Sequence, residues 1–153
     1  MKLSEALSQR SDLNKRIAEV TQRMVDNAKV QEGTTPAEDC ATLLGRLEEM
    51  ASQLQRLMAQ INKTNLATNL SNGKSLTDSI AERDILLVRI GYHRKLADAG
   101  VIKQSVQTRT EVRFVPQVDV TKLRETCDEL SKAHRILDLQ IQAANYTTEV
   151  IAD

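Results

Sequence analysis

Two sets of side chains in this sequence are suited to chemistry. The first is Arg10, Asn62, Asn65, Arg83, Asp84 and Asn145. Two guanidinium groups and three amides would surround a small anion with donors, or would form a hydrogen-bonded layer with the Asp84 carboxylate. The second set is His93 and His134, the two histidines of the chain. With a carboxylate nearby, a pair of imidazoles on facing helices would hold a zinc ion. Neither set includes an activated nucleophile. Cys127 falls on an apolar helical seam with no histidine in reach along its own face, and so reads as a small buried apolar residue. Phosphate-cradling glycine loops, dinucleotide fingerprints and Gly-x-Ser-x-Gly elbows are absent. No catalytic residue is assigned, and the expectation is a protein that is not an enzyme.

The helices that must position these groups are legible from hydrophobic period. The first runs from about Lys2 to Asn27, with a seam of Leu3, Ala6, Arg10, Leu13, Ile17, Val20 and Met24. Thr35 as N-cap, Pro36 at the first position and Glu38 as a capping box predict the start of the second. Its seam is Leu43, Leu47, Met50, Leu54, Leu57 and Ile61, continued by Thr64 and Thr68. Asn72-Gly73 supplies a tight reversal, after which Ser75 and Asp78 open the third helix. Leu76, Ile80, Arg83, Leu87, Ile90, Arg94 and Ala97 form its seam, and Gly100 is expected to end it. Thr110, Val112 and Phe114 alternate with Glu111, Arg113 and Val115, which predicts a strand over 110–115 halted by Pro116. Asp119 is the expected cap of the last helix, whose heptad is Val120, Leu123, Cys127, Leu130, His134, Leu137, Ile141, Ala144, Thr148 and Ile151.

The fold expected is therefore mainly α. It is a single domain over 1–153, an up-down-up-down four-helix bundle with long helices. A small extended or β cap, formed by the segment around Val30 and the strand at 110–115, sits between helices 1-2 and 3-4. Counted from the Asn72-Gly73 end at about 1.5 Å per residue, Arg10, Asn62, Arg83 and Asn145 rise to similar heights, and so do His93 and His134. The leading reading of the first set is a buried layer that fixes register, with Asp84 and Glu5 as partners of the arginines. A small-anion site is its alternative. The histidines read as core residues, with a metal ion as the alternative, because the repeated Glu-x-x-His motif of bundle metal sites is missing.

Composition narrows the partners. Lys+Arg and Asp+Glu both total 21, so the one-signed field that binds nucleic acid is absent. Tyr92, Phe114 and Tyr146 are the only aromatic residues, too few for base stacking. Cys40 and Cys127 form no disulfide framework, and MKLSEALSQRSDL lacks the apolar run of a signal peptide. The longest apolar run, Ile85 to Val88, is far shorter than a membrane span. These features predict a cytoplasmic protein. Leu44, Met58 and Leu66 lie beside the second seam and widen its apolar face, which predicts a homo-oligomer.

The segments NAKVQEG (27–33), INKTNLAT (61–68), LTDSIAERD (76–84), EVRFV (111–115) and QAAN (142–145) occur in this order. Over essentially the whole chain they resemble an uncharacterised bacterial family, some of whose members are called septicolysin, a pore-forming cytolysin. The resemblance implies a helical, oligomeric bacterial protein and carries no catalytic residues with it. The function expected is that of a self-assembling bundle with a structural or binding role. The alternatives are a pore former, in which case a membrane becomes the partner, and a bundle that binds a metal or small anion.

Overall fold

Each helix begins where the sequence supplies a side chain for its first amide groups, which have no partner inside the helix. The computed structural model describes residues 1–103 and 113–152. Its helices are α1 (Leu3–Asp26), α2 (Cys40–Ala67), α3 (Leu76–Gly100) and α4 (Val120–Thr147), and the fold is a mainly α four-helix bundle. The Glu5 carboxylate accepts the Lys2 amide at the start of α1, at 2.9 Å. Ser75 Oγ accepts the Asp78 amide at 3.0 Å, and Asp119 Oδ1 accepts the Lys122 amide at 3.0 Å. A cap of this kind contributes about 1 kcal/mol.

The start of α2 departs from the expected capping box. Thr35 and Pro36 lie in the connection, and the helix begins at Cys40 behind Asp39, whose carboxylate accepts both the amide and the hydroxyl of Thr42. Those bonds, the hydroxyl's first, hold the Asp39 carboxyl below its usual range. Glu38 is engaged elsewhere: Arg23 Nε donates to it at 2.9 Å and a second guanidinium nitrogen also contacts it. Two acids follow Pro36, and the one with a threonine three residues on makes the better cap. The Cys40 thiol donates to the Asn27 carbonyl at 3.3 Å, joining the end of α1 to the start of α2.

The described residues gather into two compact units, Met1–Asn69 with Ala144–Asp153, and Leu70–Ala143. In the first, α1 and α2 form a hairpin whose core includes Leu3, Ala6, Leu43, Leu57 and Ile61. In the second, α3 and α4 run antiparallel. Arg83 meets Asp138, the Cys127 thiol points at the Ile90 carbonyl, and Arg124 meets Asp98. The buried face of α3 is Leu76, Ser79, Leu86, Ile90 and Ala97. Leu87 and Arg94, both expected on this seam, are exposed. α3 carries apolar residues on more than one face, so period alone picks a stripe rotated from the true one.

Two other expectations change. Val30 is exposed and lies outside any strand or bridge, as do Arg113, Phe114 and Val115, while Thr110, Glu111 and Val112 lie outside the described residues. The extended pairing among the described residues includes Lys2 with Glu149, where the chain ends meet. The heptad of α4 likewise stops at Thr147, and Thr148 to Ile151 leave the helix.

Glycine works differently at its two corners. Gly73 has φ +80°, the left-handed value the reversal needs, and Asn72 Oδ1 accepts the Lys74 amide beside it. Gly100, by contrast, is the last residue of α3 and lacks a positive φ. Its Cβ would stand 2.7 Å from Val118 Cγ2 and 2.9 Å from Val120 Cγ2. Glycine is there because stiff, β-branched neighbours leave no room. Gly100→Ala should therefore lower stability by about 1–2 kcal/mol despite alanine's better helix propensity. A thermal or urea melt showing equal or greater stability would refute the clash.

Candidate functional site

Arg83 is the best-connected charge of the Leu70–Ala143 unit. Its Nε and Nη2 donate to Asp84 Oδ1 at 3.0 and 2.8 Å, and Nη1 donates to Asp138 Oδ1 at 3.3 Å. The guanidinium side chain is 24% exposed. Burial pulls its pKa down, but Asp84 and then Asp138 more than offset this and hold it above its ordinary value. One cation between two carboxylates leaves a net negative charge. The cluster therefore repels an anion instead of binding one, and its chemistry is that of a staple between α3 and α4.

The other members of the expected layer belong to the Met1–Asn69 and Ala144–Asp153 unit. Asn145 is buried and Arg10 and Asn65 are half-buried. Asn62 is exposed, since it follows the seam residue Ile61 and points about 100° away from it. Asp84, too, is exposed, at 59% of its side chain. Glu5 serves the Lys2 amide and is no partner to an arginine.

His93 and His134 do not face each other. His93 borders the same surface cleft as Leu123 and Thr126 of α4, and eight residues of helix, about 12 Å, separate Thr126 from His134. The end of α4 at Thr147 instead of Ile151 accounts for about 6 Å of this, and the α3–α4 register, which sets Cys127 at Ile90 and Asp138 at Arg83, for the rest. The His93 ring stacks on Tyr92 with centroids 4.7 Å apart. Its Nδ1 lies 2.8 Å from the Arg89 carbonyl, which can only accept, so Nδ1 carries the proton. Among the described residues no group of three or more His, Cys, Asp or Glu side chains is placed to hold a metal.

Two buried hydroxyls behave in opposite ways, and their roles were not read from the sequence. Thr64 Oγ1 donates to the Gln60 carbonyl at 2.7 Å and accepts the Ile151 amide at 3.0 Å. It anchors the final segment of the chain, which then pairs with the first residues. The Leu3 amide donates to the Thr148 carbonyl and the Val150 amide to the Met1 carbonyl, both at 2.9 Å. Glu149 receives Lys2 Nζ at 2.8 Å, and Lys2 is foremost in holding its carboxyl below the usual range. Ser79 Oγ, on the buried face of α3, has no hydrogen-bond partner among the described residues. An open apolar cleft of about 410 Å³ is lined by Leu96, Ile102, Phe114 and Val118, and among the described residues that line it Lys103 is the one charged side chain.

A family model described as a family of unknown function (DUF6847) matches residues 10–150. A solved structure, titled the crystal structure of a functionally unknown conserved protein from Corynebacterium diphtheriae, is similar to this chain. It shows a TM-score of 0.89 and 38% identity, with 99% of each chain covered. No curated protein matches.

The two hydroxyls make a matched test. Thr64→Val should cost about 1–3 kcal/mol, because it strands the Ile151 amide. Ser79→Ala should instead stabilise by about 1 kcal/mol, since it removes a desolvated hydroxyl and improves helix propensity. Chemical denaturation of both variants beside the parent measures each, and the same sign for both would contradict the assignments.

Proposed function

The chain belongs to this family, and from that premise we propose a self-assembling helical-bundle protein of the cytoplasm with a structural or binding role and no catalysis. One observation carries the reading: large apolar side chains stand in solvent along helices whose buried faces are already filled. On α2 these are Leu44, Met58 and Leu66, at 50%, 44% and 70% exposure, and on α4 Leu139 is 63% exposed. Water penalises such surface, and association between copies is the economical way to remove it. The polar groups support the same reading. Arg23 is matched by Glu38, Arg83 by two aspartates and Lys2 by Glu149. Charges consumed in structural pairs are not available to a substrate. Both cysteines are free, which suits a reducing compartment. No described helix is long and apolar enough to cross a membrane.

Native mass spectrometry of the purified protein tests this. The expected spectrum is a single closed multiple of the 17.1 kDa chain without additional mass. A monomer at micromolar concentration would overturn the assembly reading, and a bound metal or small molecule would overturn the structural one. Release of dye from liposomes at low protein concentration would favour the pore-forming activity that the septicolysin resemblance raises.

A further inference from the structure

α3 has a second apolar stripe, on the side away from its buried face. Ile85, Val88, Tyr92 and Leu96 are 51%, 58%, 54% and 46% exposed. At 3.6 residues per turn, this stripe lies roughly 150° around the helix from the face formed by Leu76, Ser79, Leu86, Ile90 and Ala97. A helix with one partner needs one stripe. We propose that the outer face of α3 binds the same face of a second copy, antiparallel, in a twofold dimer; this names the partner surface of the self-assembly proposed above and rests on it.

The occupant follows from the order of residues along the stripe. Asp78, Ala81, Ile85, Val88, Tyr92 and Lys95 recur at steps of three and four, the spacing of a helix–helix seam. An antiparallel partner related by a twofold axis between Ile85 and Val88 sets Asp78 opposite Lys95, Ala81 opposite Tyr92 and Ile85 opposite Val88, each pairing occurring twice. Opposite charges meet at both ends, a large ring meets a small methyl, and two branched side chains meet at the centre. Glu82 and Arg89, on one edge of the stripe, come reciprocally within two residues of each other, about 3 Å along the axis and within reach of their long side chains. A parallel partner sets every residue against itself. It would juxtapose Asp78 with Asp78 and Lys95 with Lys95, and leave Ala81 facing Ala81 across a gap. The sequence of this face is therefore complementary to its own reverse.

The unbound chain is prepared for this contact. A groove of about 370 Å³ lined by Ala81, Glu82, Ile85, Leu86 and Arg89 lies where the Tyr92 ring of the second copy would enter. Tyr92 is held in place by its stack on His93, itself tied to the Arg89 carbonyl, so little freedom is lost on binding. The Arg89 and Lys95 side chains have no ion-pair partner among the described residues. Glu82 is paired with Lys74, and both are exposed enough that exchanging this pair for Arg89 of the second copy costs little.

Sedimentation equilibrium or light scattering over a dilution series decides the matter, with circular dichroism as the check on folding. The parent should be a dimer or an assembly built on that pair. Val88→Asp should halve its mass with helix content unchanged. Glu82→Arg should weaken association at least tenfold, and Glu82→Arg with Arg89→Glu should restore it, since the reciprocal pair is rebuilt only in an antiparallel twofold contact. A parent that stays monomeric overturns both this surface and the self-assembly reading. An oligomer indifferent to Val88→Asp overturns this surface and leaves self-assembly standing. Failure of the double exchange to restore association overturns the antiparallel arrangement, and that test holds even if Val88→Asp does not fold.

Discussion

The Thr64 hydroxyl joins two parts of the chain that each need a hydrogen bond. It takes the Ile151 amide while giving its own proton to the Gln60 carbonyl, one turn back along α2. With that anchor in place, residues beyond Thr147 leave the helix, and their carbonyl and amide groups pair with the first residues of the chain. Without it, the Ile151 amide loses its acceptor and the extended segment loses a tie to α2. A short polar side chain on an otherwise apolar seam thus sets how the Met1–Asn69 and Ala144–Asp153 unit is closed. Backbone groups, which every residue must satisfy, govern this region more than side-chain burial does.

Charge is organised on the same local scale. Arg23, Arg83 and Lys2 each find carboxylates within their own unit, and the helix starts consume Glu5, Asp39 and Asp119. A chain with equal numbers of acidic and basic residues can be solvated everywhere or paired locally, and here much of the pairing is local. What remains distinctive on the surface is apolar, which is why the functional reading rests on contact with other chains and not on chemistry at a pocket.

Helix number, approximate length and two of the N-caps, Ser75 and Asp119, were legible because periodicity and capping are local signals. The seams of α1 and α2 were legible for the same reason, as their apolar residues occupy one face. α3 was harder. Two apolar stripes on nearly opposite sides leave no single preferred direction, and the reading settled between them on Leu87 and Arg94. The polar layer was read from height along the helices, and the Arg83–Asp84 pair it named is present. Asn62 and Asp84 are nevertheless turned outward, because angle around the axis decides burial. Asp138, the long-range partner of Arg83, was missed because it stands beside the α4 seam and is found only once the antiparallel register of α3 and α4 is known. The histidine pair failed partly on a few residues of helix end, since Thr148 to Ile151 are not helical, and partly on the α3–α4 register.

The two units differ in how they are written along the chain. Leu70–Ala143 is one uninterrupted segment, whereas the other unit combines the first 69 residues with a stretch beginning at Ala144. During synthesis the uninterrupted unit has all its parts as soon as Ala143 leaves the ribosome. The discontinuous one must hold an α1–α2 hairpin in which the Thr64 hydroxyl lacks its incoming donor and the Leu3 amide its acceptor until Thr148 and Ile151 arrive. Its closing contacts span 87 residues between Thr64 and Ile151, and loops of that separation are entropically slow to close. Assembly of this protein is then ordered in time: each hairpin forms from contiguous sequence, and the contacts of Thr64 and Leu3 with residues 148–151 close last.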